Sequence, residues 1–442
     1  MDVANLAGKA NPWWVTGRVS EKYRKMVKRG LFFELVKYLP DKQVITVTGL
    51  RRVGKTTLMH QVIDELLKKN NSENIFYFLF NSFHSKPEDL ERVIEFYLNN
   101  IAPEKGRKYL FLDEVQYVKG WADVIKSYYD LHDDLKFFIS GSASLYIRKS
   151  TKESLAGRAY DFFLSSLSFK EFLLLKKTRL PLDVVEKPLK YESVLSVLFN
   201  EFVLKGGFPE IVSEEDFEKR KLYVSSVISK ITSIDIPSVF EVRDVRSFPI
   251  LLRLLASSVG KTVEYSSLAE SVEKNRRTVS DYVKYLEEAF VIKELFTHSG
   301  SEFSKARKSK KLYFTEHSVI SSMLDKSKAE VFESLFSSLL VENIIFNSLK
   351  PVSFWRKDKE VDFIIKFEGE LIPVEVKYKE NLTSTDFNGL RKFMKSNKTF
   401  KAIMITKKTH GVKKLEEGKV LLIPAWLITY APKEVISKIN LL

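Results

Sequence analysis

The sequence contains no cysteine. Disulfides and thiolate zinc sites are therefore excluded, and the composition suits a reducing interior. Glutamine is nearly as scarce, confined to Gln43, Gln61 and Gln116 against 72 Lys plus Arg and 57 Asp plus Glu, a balance that suits a thermophile. No apolar run reaches the length of a membrane span, and Met1-Asp2-Val3-Ala4 starts no secretory signal, so a cytoplasmic protein with no membrane partner is expected. Hydrophobic residues make up 44% and aromatic residues 13%, enough for packed interiors rather than a disordered chain. At 442 residues the chain has room for roughly three domains of about 150 residues each. Its net charge of +15 points to a polyanionic partner, nucleic acid before membrane.

The strongest motif is Gly49-Leu50-Arg51-Arg52-Val53-Gly54-Lys55-Thr56, a complete G-x-x-x-x-G-K-[ST] loop followed by Thr57. The β-branched run Val44-Ile45-Thr46-Val47 predicts a buried strand before it. Apolar spacing at Leu58, Val62 and Leu66 predicts a helix after it. A glycine-rich turn between strand and helix lets backbone N–H groups close around phosphate oxygens. Lys55 would then reach the β- and γ-phosphates of ATP, and the Thr56 hydroxyl would take a place on Mg²⁺.

A second motif, Lys108-Tyr109-Leu110-Phe111-Leu112-Asp113-Glu114, is an apolar strand ending in adjacent carboxylates. Asp113 is the candidate for Mg²⁺, and Glu114 is the candidate base that polarises the attacking water, a role a hydrolase needs. A third strand, Leu135 to Ile139, ends in Ser140-Gly141-Ser142, and Ser140 and Ser142 are placed to read the γ-phosphate and the water.

Together with Asp113-Glu114-Val115-Gln116, Trp121 and Leu155-Ala156-Gly157-Arg158, these motifs resemble the ATPase core of archaeal and bacterial AAA+/STAND-type families that carry a DUF4143-like C-terminal region. The resemblance spans most of the chain. It implies an α/β P-loop NTPase core with a parallel sheet, a helical lid and an arginine that acts on the γ-phosphate. Arg158 is the candidate for that arginine because its fork suits phosphate oxygens, and Arg148 is its rival. Gly206-Gly207-Phe208-Pro209 resembles the Gly-Gly-x-Pro signature of the lid, which makes Pro209 a candidate nucleotide-side residue.

The domain boundaries follow from these assignments: a lead-in over 1–40, the ATPase core over 41–165, a helical lid over 166–237, a winged helix over 238–315 and a small α/β domain over 316–442. Strands are expected at Asn74–Phe80, Tyr109–Asp113, Leu135–Ser140 and Ala159–Leu164, in a doubly wound sheet. The winged helix rests on three helical stretches, Phe248–Ser258, Tyr265–Val272 and Arg276–Ala289, followed by wing strands at Val291–Phe296 and Lys311–Phe314. Arg276 and Arg277 open the third helix, and Lys305, Arg307 and Lys308 fill the wing tip. They are the candidate DNA contacts.

In the last domain, strands Glu360–Ile365 and Ile372–Lys377 form a hairpin that would bring Asp362, Glu375 and Lys377 to one face. Two carboxylates and a lysine so placed resemble the PD-(D/E)xK nuclease family. There the acids hold Mg²⁺ and the lysine steadies the nucleophile. Glu342, on the helix Val331–Leu349, matches the helical acid of such folds. The function expected is an ATPase that couples hydrolysis to DNA binding or remodelling, with an ATP-gated nuclease and a STAND-type switch on a protein partner as alternatives. A homo-oligomer is compatible with each.

Overall fold

The computed structural model describes residues 3–81, 83–141, 154–179, 183–298 and 309–441. Ser142, Arg148, Lys305, Arg307 and Lys308 lie outside them. The chain divides into two compact units, one of residues 1–165, 231–242 and 288–290 and the other of residues 166–230, 243–287 and 291–442.

The first unit is built on strands β1 (Val44–Thr48), β2 (Ile75–Leu79), β3 (Lys108–Asp113), β4 (Leu135–Gly141) and β5 (Ala159–Phe163). They pair in the order β2-β3-β4-β1-β5, and every pairing is parallel. Each residue of β1, β3 and β4 is buried, which explains why these strands read as unbroken apolar runs: the sheet is covered on both faces. On one face Leu110, Leu112, Phe137 and Ile139 pack with Leu90, Val93, Ile94 and Tyr97 of helix Pro87–Asn100. Residues one position along point the other way, where Phe111 stacks on Phe138 at 4.3 Å. The order also sets function, because β4 stands between β1 and β3 and brings their carboxyl ends together.

Edge strand β2 has no strand beyond it among the described residues, and the lead-in satisfies its outer backbone groups. Asn11 donates to Tyr77 O at 2.8 Å and accepts from Tyr77 N at 2.6 Å, while the Trp13 and Trp14 indoles both donate to Ile75 O at 3.0 Å. Covering an edge in this way removes a template for intermolecular pairing.

The second unit begins with helices Phe169–Leu175, Pro188–Lys205 and Phe217–Lys230, the first held by a capping box between Ser168 and Glu171. Helices Ser247–Ser257, Tyr265–Ser271 and Arg276–Glu288 follow, with an antiparallel sheet of β6 (Thr262–Val263), β7 (Ile292–Phe296) and β8 (Lys310–Phe314) in the order β6-β8-β7.

The last layer is a six-stranded sheet of β9 (Ser353–Arg356), β10 (Glu360–Phe367), β11 (Glu370–Lys377), β12 (Lys401–Thr406), β13 (Gly411–Leu415) and β14 (Gly418–Pro424). Its order is β13-β14-β12-β11-β10-β9. Helix Asn388–Asn397 packs Leu390, Phe393 and Met394 onto Val361, Ile364, Met404 and Leu422. The β10–β11 hairpin turns at Glu368 and Gly369, with φ of 48° and 88°, the left-handed pair that suits the twist of a two-residue hairpin loop.

Candidate functional site

The phosphate loop leaves β1 at Thr48 and enters helix Lys55–Leu66. Gly49 runs so close to β5 that a Cβ there would stand 2.2 Å from Leu164 O, whose residue is tied to the loop by Leu164 N donating to Thr48 O at 2.8 Å. Gly54 sits at φ 102°, where glycine is the least strained choice. The loop backbone is braced from behind by Arg29, which donates to Val53 O at 3.1 Å and to Ser165 O at 2.8 Å. The buried Lys55 ammonium donates to Gly49 O at 3.1 Å and Leu50 O at 3.2 Å. Burial pushes the Lys55 pKa down, and the nearby charges of Glu114 and Asp113 oppose that shift.

Asp113, at the end of β3, is fully buried and gathers hydroxyl groups from three strands or helices. Thr56 Oγ1 donates to Oδ2 at 2.6 Å, Tyr77 OH donates to the same oxygen at 2.9 Å, and the Ser140 hydroxyl donates to Oδ1. Burial and the Asp113 charge hold the Tyr77 phenol well above its ordinary pKa, so it remains a donor. His60 lies behind this set, its ring stacked on Tyr23 at 4.0 Å and 4.5 Å from that of Tyr77. Its Nδ1 is 2.9 Å from Thr56 O, and a carbonyl only accepts, so Nδ1 carries the proton. Burial lowers its pKa to about 4, and the ring is neutral.

Glu114 turns out of the strand in the left-handed region, φ 55°, and its carboxylate accepts from the Gln116 amide. The turn separates the two acids: Asp113 faces the loop hydroxyls, and Glu114 is left half-buried, where it influences Lys55 and Arg51. Arg51, inside the loop, donates to both oxygens of Asp235 at 2.7 and 3.0 Å. Asp235 ends the π-helical turn Ile231–Asp235, and burial pushes its carboxyl up against the opposing pull of Arg51. π-Helical turns occur often at functional positions.

Arg158 stands away from the phosphate loop of its own chain. Its backbone carbonyl accepts from Val44 N at the amino end of β1, and its guanidinium pairs with Asp130 at 2.9 and 3.3 Å. In a parallel sheet the phosphate loop lies at the opposite edge, about 16 Å away along five residues of β1 at about 3.3 Å each.

Family models match three consecutive segments. An AAA domain matches residues 41–173, a domain of unknown function (DUF8612) matches 196–330, and another (DUF4143) matches 328–428. The chain carries an AAA-type P-loop ATPase domain and a DUF4143 domain. An uncharacterised protein of Haemophilus influenzae is 26% identical over 92% of this chain and 99% of its own, and one of Methanocaldococcus jannaschii is 26% identical over 92% and 91%. Among solved structures, a Walker-type ATPase of Pyrococcus abyssi is similar with a TM-score of 0.43, at 15% identity over 70% of this chain and 98% of that one. Cdc6p of Pyrobaculum aerophilum has a TM-score of 0.27, at 12% identity over 73% and 94%. The assignment of the AAA domain rests on the family match and on the loop geometry. No helix among the described residues is long and apolar enough to cross a membrane.

The DUF4143 segment brings its acids near one another but does not arrange them around a metal. Among the described residues no three His, Asp or Glu side chains form a group that could hold a metal ion. Asp362 Oδ2 accepts from Val376 N at 2.9 Å, Glu375 pairs with Lys377, and Glu342 Oε1 accepts from Tyr313 OH at 2.8 Å. A lysine that the motif does not include, Lys311 of β8, stands among them with a fully buried side chain. Its Nζ is 2.6 Å from Glu360, 3.5 Å from Asp362 and 4.0 Å from Glu342. Burial and the Asp362 charge raise the pKa of Glu342 to about 7 and that of Glu375 to about 8. Of the expected Mg²⁺ set, Glu342 is met by a phenol, Asp362 by a backbone amide and one oxygen of Glu375 by a lysine.

Pro209 lies in the second unit, where it opens the 3-10 turn Pro209–Ile211. The glycines before it have a packing role. A Cβ on Gly206 would meet Ser318 at 2.5 Å and one on Gly207 would meet Glu316 at 2.7 Å, while Gly207 N donates to Glu316 at 2.9 Å. Arg276 and Arg277 are exposed at the start of their helix. Sequence reasoning missed Tyr77, Asp235 and Lys311. Tyr77 and Asp235 each carried a signal, a polar group in an otherwise apolar stretch that must find a partner when buried.

Proposed function

We propose that this chain is an ATP-hydrolysing switch that acts on DNA in the cytoplasm. The observation that carries the reading is the convergence on Asp113 of hydroxyls from the phosphate loop, β2 and β4, with Glu114 turned away as a separate carboxylate. A hydroxyl and a carboxylate at 2.6 Å are hard oxygen donors of the kind Mg²⁺ takes beside phosphates, so Thr56 and Asp113 would hold it. Mg²⁺, when bound, supplies charge neutralisation on the phosphate oxygens. Lys55 supplies the other positive charge, and the loop amides and helix end orient the phosphates. Glu114 positions and deprotonates the attacking water, and Ser140 fixes Asp113 and the strand tip beside it.

The Arg51–Asp235 pair supplies the coupling. Phosphate competes for Arg51, which frees Asp235 and the segment that joins residues 166–230 to residues 243–287. The DNA part of the reading is supported by the net charge of +15 and by exposed Arg276 and Arg277 opening a helix that precedes an antiparallel hairpin, the plan of a winged helix. The PD-(D/E)xK alternative is weakened by the lysine among its acids. The test is the ATPase rate without DNA and with duplex, forked and junction DNA over a salt series. Stimulation that fades with salt is expected. ATP turnover with no response to any DNA at low salt would favour a switch acting on a protein partner.

A further inference from the structure

The position of Lys311 has a consequence for the whole C-terminal sheet. β8 belongs to the segment matched by DUF8612, whereas Glu342, Glu360 and Asp362 belong to the DUF4143 segment. Its ammonium therefore crosses from one family domain into the acidic centre of the next, within the same compact unit. The surroundings of Glu342 come from that same neighbouring segment. Tyr313 OH donates to its carboxylate, Lys311 faces it, and Gly260 passes so close that a Cβ there would stand 2.7 Å from Oε1. Phe354 closes the cluster, its ring centre 5.3 Å from Lys311 Nζ.

We propose that Lys311 is a built-in cation that takes the place of a divalent metal in the acidic centre of the DUF4143 domain, making that centre a lock between two domains rather than a metal site. A buried carboxylate cluster needs counter-charge to be tolerated, and a metal or a lysine can provide it. Here the lysine does so from a strand that also pairs with β6 and β7, so the charge is anchored by a hairpin and cannot leave without moving it. A divalent ion entering among Glu342, Asp362 and Glu375 would meet a like charge about one contact distance away, in a site with little water to screen it. Two buried atoms of the cluster lack a hydrogen-bond partner among the described residues: Glu375 Oε2, which speaks for a metal, and Lys311 Nζ, whose 2.6 Å approach to Glu360 is an ion pair. The other oxygen of Glu375 pairs with Lys377, so this carboxylate too takes its counter-charge from a lysine. Seen this way, the resemblance to a nuclease lies in the strand framework, and the chemistry has been replaced by an ion-pair latch.

The test is a Mn²⁺ titration of the nucleotide-free full chain, followed by electron paramagnetic resonance, on the wild type, Lys311→Gln and each of these with Asp362→Asn. Wild type should show no site that depends on Asp362 up to about 1 mM Mn²⁺. Lys311→Gln should gain one such site at least about 30-fold tighter, and Asp362→Asn should abolish it. Glu360→Gln loosens the nearest pair of Lys311 while leaving Glu342, Asp362 and Glu375 in place, and it carries the test if Lys311→Gln does not fold. The same gain is expected there, smaller but above about threefold. An Asp362-dependent site in wild type below about 100 μM, or no gain in any folded variant, overturns the proposal.

Discussion

Removing Arg51 should loosen one segment of the first unit selectively. Asp235 is 7% exposed and is held by both oxygens on a guanidinium whose own side chain is 27% exposed. Breaking a buried pair from one side costs about 3–5 kcal/mol. Two features reduce that figure here: Arg51 keeps part of its hydration, and the Asp235 carboxyl is already pushed up by burial, so protonation relieves some of the stranded charge. About 2 kcal/mol remains for Arg51→Met, a roughly 30-fold rise in the opening of residues 231–239 at about 1.4 kcal/mol per factor of ten. Asp235→Asn keeps an acceptor for Arg51 and should cost only about 1 kcal/mol. The double variant should resemble Arg51→Met, because the pair acts as one unit. Hydrogen exchange measured by mass spectrometry reads this directly, with amides of β3 as an unchanged control. Exchange in residues 231–239 that moves less than threefold in Arg51→Met would show that the pair does not hold the segment, and the coupling role proposed for it would fall.

Two further outcomes follow from the second unit. Glu342 and Glu375 are raised to about 7 and about 8 from 4.5. The folded chain therefore binds protons that the unfolded chain releases between about pH 4.5 and 8, and stability falls as pH rises through that window; Glu375→Gln should flatten the slope near pH 6 by up to about 1.4 kcal/mol per pH unit in urea titrations, and an unchanged slope refutes the assignment. Reversing Arg276 and Arg277 to Glu should weaken duplex binding at least tenfold and lower its salt slope by about two, with ATP affinity untouched; an unchanged slope in a fluorescence anisotropy series would move the DNA site elsewhere.

The core of the first unit was legible because burial on both faces leaves little ambiguity. Val44–Thr48, Lys108–Asp113 and Leu135–Gly141 are apolar runs that end in the functional residues, and their bounds fall within a residue or two of expectation. Strands β9 and β13 were not visible in the sequence: Ser353–Arg356 is only 4 residues long, and Gly411–Leu415 is an edge strand with an exposed, lysine-bearing face. Partners distant in sequence were equally hidden. Arg51 meets Asp235 across 184 positions, and nothing in Lys310-Lys311-Leu312-Tyr313 announces that its second lysine is the buried one. The placing of Arg158 was open to a topological argument. A residue that precedes a parallel strand stands at the amino edge, away from a loop that follows one.

The most direct measurement is a pair of experiments on Glu114→Gln and Lys55→Ala, ATP binding by equilibrium dialysis and single-turnover hydrolysis by phosphate release. The geometry separates the two side chains, one buried against the loop carbonyls and one turned out of β3 at φ 55°. Glu114→Gln should bind ATP within about threefold of wild type and turn it over at least about 100-fold more slowly, while Lys55→Ala should lose binding. Hydrolysis at the wild-type rate by the Glu114→Gln protein would contradict the account.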